Sequence, residues 1–285
     1  MHKLMGGILT IGSGLTLGRE GPSVQIGGAI GQGVAEKNNL SKQNQNYLIV
    51  GAAGAGMAAA FNSPVFGIIF ALEELLKKTS RRGFLSSSLT IITATLVSIA
   101  LFDSKVTLFI PISLILSGKD YPYLILLGII IGLSGVFFNK VILLGKHLYA
   151  KWSVSSTIKC IFPFFVTALF LLWDPRLLGS GEHFILIPFE ENVNLATLVS
   201  FYFIKLFLLV LAFASGLPGG IFFPSLSLGS LAGNIVGSGL LIGRLITPNT
   251  LLVFTVIAMA AHFAAIVRAP PHRNFLGSRD DRGIN

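Results

Sequence analysis

One charged motif stands inside a long glycine-rich and apolar stretch: Gly18-Arg19-Glu20-Gly21-Pro22. Proline is tolerated in the first turn of a helix, so this motif predicts that a helix begins here. The N-terminus of a helix attracts anions, because its free N–H groups point outward and the helix dipole adds partial positive charge. A glutamate at this position is stabilised by the same field and competes with any anion that binds. The motif therefore predicts an anion site with a built-in competitor.

The pattern returns about two hundred residues later, at Gly220-Ile221-Phe222-Phe223-Pro224. When Pro22 is aligned with Pro224, three further identities follow: Ser23 with Ser225, Gly27 with Gly229, and Gly31 with Gly233. A second proline break follows each motif after an alanine-rich run, at Pro64 and at Pro270. Gly/Pro-interrupted segments in corresponding places of two halves indicate a transporter binding site near the middle of a membrane.

The composition is that of a membrane protein, with 53% hydrophobic residues, 12% charged residues and a mean hydropathy of +0.78. Soluble domains carry about 25% charged residues. The apolar runs are long and do not alternate, which favours helices over a barrel. The net charge of +9 is typical of basic loops that flank membrane spans, so no nucleic-acid partner is expected. The single cysteine, Cys160, excludes an internal disulfide.

The hydrophobic pattern predicts ten helices. They are expected over residues 4–17, 22–34, 47–61, 64–76, 84–102, 121–149, 158–173, 195–214, 224–245 and 250–267. Those over 84–102, 121–149, 158–173 and 195–214 are expected to span the bilayer, and the two that begin at residues 22 and 224 are expected to be half-helices. A polar loop is expected over residues 36–46, and an extramembrane loop over residues 175–194. Four regions follow: 1–102 with the first motif, a connector over 103–120, a second repeat over 121–270, and a polar tail over 271–285.

Three motifs in order carry a resemblance to a known family. The Gly18–Pro22 motif, the Gly220–Pro224 motif, and Asn62-Ser63-Pro64 followed by Glu73-Glu74 resemble the chloride channel and transporter (CLC) family, collinearly over residues 1–270. The resemblance implies an all-α polytopic membrane protein, an inverted-repeat fold with broken, re-entrant helices. It also implies chloride and protons as the transported ions, no enzymatic activity, no cofactor and no metal, and a homodimer when the protein is full length.

The resemblance assigns roles to individual residues. Glu20 becomes the gating glutamate and Glu74 the proton relay, while Glu73 is expected to be structural. Chloride would be bound by the two motifs, largely through backbone N–H groups, at Gly18, Arg19, Gly21, Ile221 and Phe222.

Each glutamate also has a plainer interpretation. Glu20 could form a structural ion pair with the adjacent Arg19. Glu74 could balance Lys77 and Lys78, which follow it at the helical spacings of three and four.

The function expected from the resemblance is chloride/proton antiport, and the first alternative is a passive chloride channel of the same fold. A second alternative is a transport-inactive membrane fragment. The resemblance implies several helices before residue 1, and after Pro270 the apolar pattern gives way to polar residues. We therefore expect a fragment that lacks both ends, cut at the front and either truncated or frameshifted near the end. An intramembrane enzyme is disfavoured, because the sequence offers no evident nucleophile–base pair or metal cluster.

Overall fold

The computed structural model describes residues 2–76, 80–102, 116–190 and 193–268. Regular structure in these residues is helical, apart from one isolated antiparallel bridge between Gly18 and Gly220. The α-helices are α1 His2–Gly12, α2 Glu20–Lys37, α3 Lys42–Phe61, α4 Pro64–Phe70, α5 Arg81–Phe102, α6 Tyr121–Lys151, α7 Ser156–Trp173, α8 Glu182–Glu190, α9 Leu195–Ala214, α10 Phe222–Ile242 and α11 Pro248–Arg268.

Six of the described helical segments are long and apolar enough to cross a membrane. They are Arg81–Phe102, Gly118–Lys151, Ser156–Trp173, Leu195–Ala214, Phe222–Ile242 and Pro248–Val267. Many of their large apolar side chains are exposed, such as Leu172 at 86% and Ile125 at 68%, which suits contact with lipid rather than water. The expectation of a multi-pass, all-α membrane protein is confirmed.

The observed helices follow most of the predicted ones. Helix α1 is an exception, since it ends at Gly12 rather than at residue 17. Two predicted loops also need correction. Residues 175–194 were expected to form an extramembrane loop, but they contain α8, whose Phe184, Ile185 and Ile187 are buried. The prediction was wrong because a helix of nine residues is too short to show a clear periodicity, and its burial depends on its tertiary neighbours. The predicted loop over 36–46 is also shorter, since α3 already begins at Lys42.

Contacts divide the chain into two compact units that interleave along the sequence. The first unit consists of Met1–Ser113, Ser155–Glu182 and Ser215–Pro224; the second consists of Leu114–Val154, His183–Ala214 and Ser225–Asn285. Both sequence motifs, at residues 18–22 and 220–224, belong to the first unit. The predicted connector over 103–120 falls mostly outside the described residues, as does the tail over 271–285.

Within each unit, a glycine that faces an alanine allows two helices to come into close contact. In the first unit a Cβ at Gly31 on α2 would lie 2.7 Å from the Ala52 side chain on α3. In the second unit a Cβ at Gly233 on α10 would lie 2.5 Å from the Ala258 side chain on α11. Small residues allow such close approach of membrane helices. Gly31 and Gly233 are aligned positions of the repeat, so both halves place a glycine against an alanine of the following helix.

A buried carboxylate fixes the start of α6 in the second unit. Asp120 is 6% exposed, and its Oδ2 accepts hydrogen bonds from the Ser117 N–H at 2.9 Å and from the Thr250 hydroxyl at 3.3 Å. The Ser117 and Asp120 pair forms a capping box. The carboxylate thus joins the N-terminal ends of α6 and α11.

We expect Asp120→Ala to lower the stability of the protein by roughly 1–3 kcal/mol, because it removes a helix cap and one of the two side-chain partners of the buried Thr250 hydroxyl. The melting temperature in detergent measures this effect. Lys119→Ala is the matched control, since Lys119 is the exposed neighbour of Asp120. Equal melting temperatures for the two variants would contradict the capping role.

Candidate functional site

The candidate site lies where the two motifs meet in the first unit. The Gly18 N–H donates to the Gly220 carbonyl at 2.8 Å, and the Gly220 N–H donates to the Gly18 carbonyl at 2.7 Å. These reciprocal bonds form the bridge between two non-helical segments, one before α2 and one before α10. The contact satisfies backbone groups that neither helix can pair, a requirement for broken helices at membrane depth.

Glycine is required at this contact because there is no room for a side chain. A Cβ at Gly21 would lie 2.9 Å from the Gly220 nitrogen, and a Cβ at Gly219 would lie 2.5 Å from the Leu17 side chain. A Cβ at either Gly18 or Gly220 would overlap the carboxylate of Glu20. The glycines of both motifs therefore make space for one another and for this carboxylate.

The Glu20 side chain is buried, at 3% exposure, and reaches from the start of α2 to the start of α10. Its Oε1 accepts a hydrogen bond from the Phe222 N–H at 2.6 Å and a longer one from the Phe223 N–H at 3.3 Å. Both donors belong to the first turn of α10, where the helix dipole also favours negative charge. The carboxylate thus occupies the anion-binding end of a second helix.

The two oxygens of this carboxylate have unequal surroundings. Oε1 has its two amide donors, whereas Oε2 is buried and has no hydrogen-bond partner among the described residues. An unpartnered oxygen on a buried carboxylate opposes the charged form. Proton uptake by Glu20 would remove that charge and weaken its attachment to α10.

Arg19 does not pair with Glu20 in the way that the plainer interpretation supposed. Its Nη2 lies 3.7 Å from Oε1 of Glu182, and its guanidinium lies 5.6 Å from the centre of the Phe223 ring. The Arg19 and Glu182 side chains are 44% and 50% exposed. An exposed ion pair of this kind contributes little to stability.

The structure adds one residue to the predicted set. Phe223 was missed because the helix was expected to begin at Pro224, whereas α10 begins at Phe222 and its first amides are those of Phe222 and Phe223. The proline by itself did not fix this boundary, since proline is tolerated within the first helical turn and does not mark the first helical residue.

The other predicted chloride ligands lie at the same contact. Gly18 uses its N–H in the bridge to Gly220, and Gly21 packs against the Gly220 backbone. Ile221 immediately precedes the Phe222 amide that holds Glu20. The chloride-binding roles of Gly18, Arg19, Gly21, Ile221 and Phe222 remain predictions.

Glu74 and Glu73 lie on a different element. Ser63 caps α4 by accepting a hydrogen bond from the Phe66 N–H at 3.4 Å, after Asn62 turns the chain with a φ of 51°. The helix continues beyond α4 as a π-helix, Ala71–Leu76, which carries both glutamates on exposed positions. Such π-segments often mark functional sites. Lys77 and Lys78, the alternative partners of Glu74, lie outside the described residues.

Gly220→Ala is expected to destabilise the protein by roughly 1–3 kcal/mol, the usual effect of forcing an extra methyl group into a packed site. The methyl group would displace the Glu20 carboxylate from the α10 amides. Thermal unfolding in detergent measures the loss. Gly33→Ala is the control, because a Cβ at Gly33 would meet nothing within 4 Å, and alanine favours a helix. A Gly220→Ala variant as stable as Gly33→Ala would contradict this geometry.

Together, the fold and the site define a class: a polytopic membrane protein in which two helix breaks meet around a buried carboxylate. A search of solved structures supports the fold. A slow cyanobacterial Cl⁻/H⁺ antiporter superposes with a TM-score of 0.76 at 24% identity, covering 93% of this chain and 71% of that one. A CLC-type fluoride/proton antiporter gives a TM-score of 0.71 at 24% identity, covering 93% and 74%.

Sequence comparison identifies the family. The profile described as voltage gated chloride channel matches residues 1–271, so the chain belongs to this family. The H⁺/Cl⁻ exchange transporter ClcA of Vibrio vulnificus is 32% identical over 283 residues, and that of Vibrio cholerae is 34% identical over 288 residues. Each alignment covers 94% of this chain, which spans 59% of the length of these relatives.

Proposed function

We propose that this protein moves chloride across a membrane in exchange for protons, with Glu20 as the gate. One observation carries the proposal: the Glu20 carboxylate is buried and accepts the Phe222 N–H at the first turn of α10. N–H donors and positive potential stabilise a carboxylate and a chloride ion alike, so both can bind at such a site. The names of the ClcA relatives support the choice of ions.

The proposed exchange follows from competition for the α10 amides. While charged, Glu20 holds the amides and excludes the anion. Proton uptake converts the carboxylate to a neutral acid, which loses its charge-assisted hydrogen bonds and its attraction to the helix dipole. The protonated side chain then moves away from the α10 amides, and chloride binds to these amides in its place. When Glu20 releases the proton, its carboxylate binds the amides again. Amides rather than a full cation hold the anion, so binding stays weak enough for release.

Glu74 is proposed to pass protons between Glu20 and one aqueous face. Its exposed position on the π-segment Ala71–Leu76 supports access to solvent. The proposal further includes Gly18, Arg19, Gly21 and Ile221 as the surroundings of the anion, and a homodimer as the functional unit.

A passive chloride channel is the second candidate, and the same carboxylate at the α10 amides supports it. The reversal potential separates the two functions. We reconstitute the protein in liposomes, impose a chloride gradient, and then add a pH gradient. Exchange predicts a shift of the reversal potential when the pH gradient is added, because protons share the cycle. A reversal potential set by chloride alone would favour the channel, and the absence of any chloride flux would contradict both.

A further inference from the structure

Four phenylalanines from three elements form one aromatic cluster in the first unit. Phe61 ends α3, Phe66 lies in the first turn of α4, and Phe222 and Phe223 open α10. Phe61 contacts all three others: its ring centre lies 4.9 Å from Phe66, 4.9 Å from Phe222 and 4.8 Å from Phe223. Phe66 and Phe222 are 5.2 Å apart. We call these residues the phenylalanine cluster.

We propose that Phe61 and Phe66 are positioning residues that set the anion affinity of the α10 amides, an inference that rests on the function proposed above. The amides that hold Glu20 belong to Phe222 and Phe223, the same two residues whose rings pack in the cluster. The Phe222 ring packs against both Phe61 and Phe66, and this packing restrains the Phe222 Cα. The direction of the Phe222 N–H is restrained with it. Hydrogen bonds weaken steeply as this direction departs from the acceptor.

Phe61 and Phe66 are themselves held in place by their surroundings. The Phe61 and Phe223 rings stack within 12° of parallel, and both residues are buried, at 8% and 0% exposure. Phe66 is held by the capped start of α4, since its own N–H donates to the Ser63 hydroxyl. Close-packed interiors transmit such constraints, because a ring cannot move without opening a cavity. Phe61 and Phe66 therefore keep the Phe222 and Phe223 N–H groups of α10 directed at the anion site.

Ordinary core packing would give the same contacts but a different response to mutation. A cluster that only stabilises the fold would lower the melting temperature when trimmed, and the anion affinity of the folded protein would stay the same. A cluster that aims the amides would change anion affinity even in a variant that remains folded. Affinity is thus the readout that separates the two roles.

The test is made in a Glu20→Gln background, which removes the competing carboxylate, with chloride as the titrant in isothermal calorimetry. Phe61→Leu and Phe66→Leu are each expected to weaken chloride binding about tenfold relative to this parent, the order expected when one hydrogen bond to a charged ligand is lost. Phe165→Leu is the matched control, because Phe165 lies on α7 in the same unit and is 60% exposed. It should bind chloride as the parent does.

Each outcome has a definite meaning. If the parent binds chloride and both cluster variants bind it equally well, the positioning role is wrong and the proposed function stands. If the parent binds no chloride, the anion site itself is wrong, and the positioning role falls with it. If Phe61→Leu does not fold, the partly buried Phe66→Leu decides alone, with its melting temperature recorded beside its affinity.

Discussion

Replacing Glu20 with glutamine is expected to leave chloride flux in place and to remove its response to pH completely. Glutamine keeps the size of the side chain and cannot gain or lose a proton in this range. In the structure the carboxylate accepts the Phe222 N–H at 2.6 Å, a charge-assisted bond that a neutral amide replaces only weakly. The α10 amides then become available to chloride at every pH.

Chloride efflux from proteoliposomes, measured over a series of pH values, tests this expectation. Glu182→Gln is the control: it removes an exposed carboxylate that lies 3.7 Å from Arg19, next to the same motif, without touching the α10 amides. This variant should keep the original pH response. A Glu20→Gln protein that responds to pH as the unmodified protein does would refute the gate.

Replacing Glu74 with glutamine is expected to reduce proton movement to background while chloride still moves. The physical reason is that a proton relay needs a side chain that titrates, and an exposed carboxylate on the π-segment can exchange protons with water. The anion site would remain intact, because Glu20 and the α10 amides belong to other elements.

Simultaneous recording of proton and chloride flux decides the point. Glu73→Gln is a demanding control, since Glu73 has the same chemistry, is also exposed, and differs by one position on the same π-segment. Its stoichiometry should be unchanged. If Glu74→Gln also keeps the original ratio of protons to chloride, Glu74 is a solvated surface residue or a partner of Lys77 and Lys78.

Much of the fold could be predicted from the sequence, because long apolar runs and glycine or proline breaks are local signals. The spans at Leu195–Ala214 and near Ser156–Trp173 were predicted almost to the residue. The break at Asn62 and Ser63 was also predicted, since the two residues and Pro64 together define a cap. The small helix Glu182–Glu190 was not, because nine residues give too weak a periodic signal.

The sequence by itself determined the chemical identity of the site: two similar motifs, one glutamate in the first, and free amides at the start of a helix in the second. Only the tertiary structure decided that the glutamate of α2 reaches the amides of α10 rather than remaining at its own helix or pairing with Arg19. The physical reason is that a motif specifies local backbone geometry, whereas the partner of a side chain depends on which backbone lies opposite. Here the reciprocal hydrogen bonds between Gly18 and Gly220, about two hundred residues apart, set that partner.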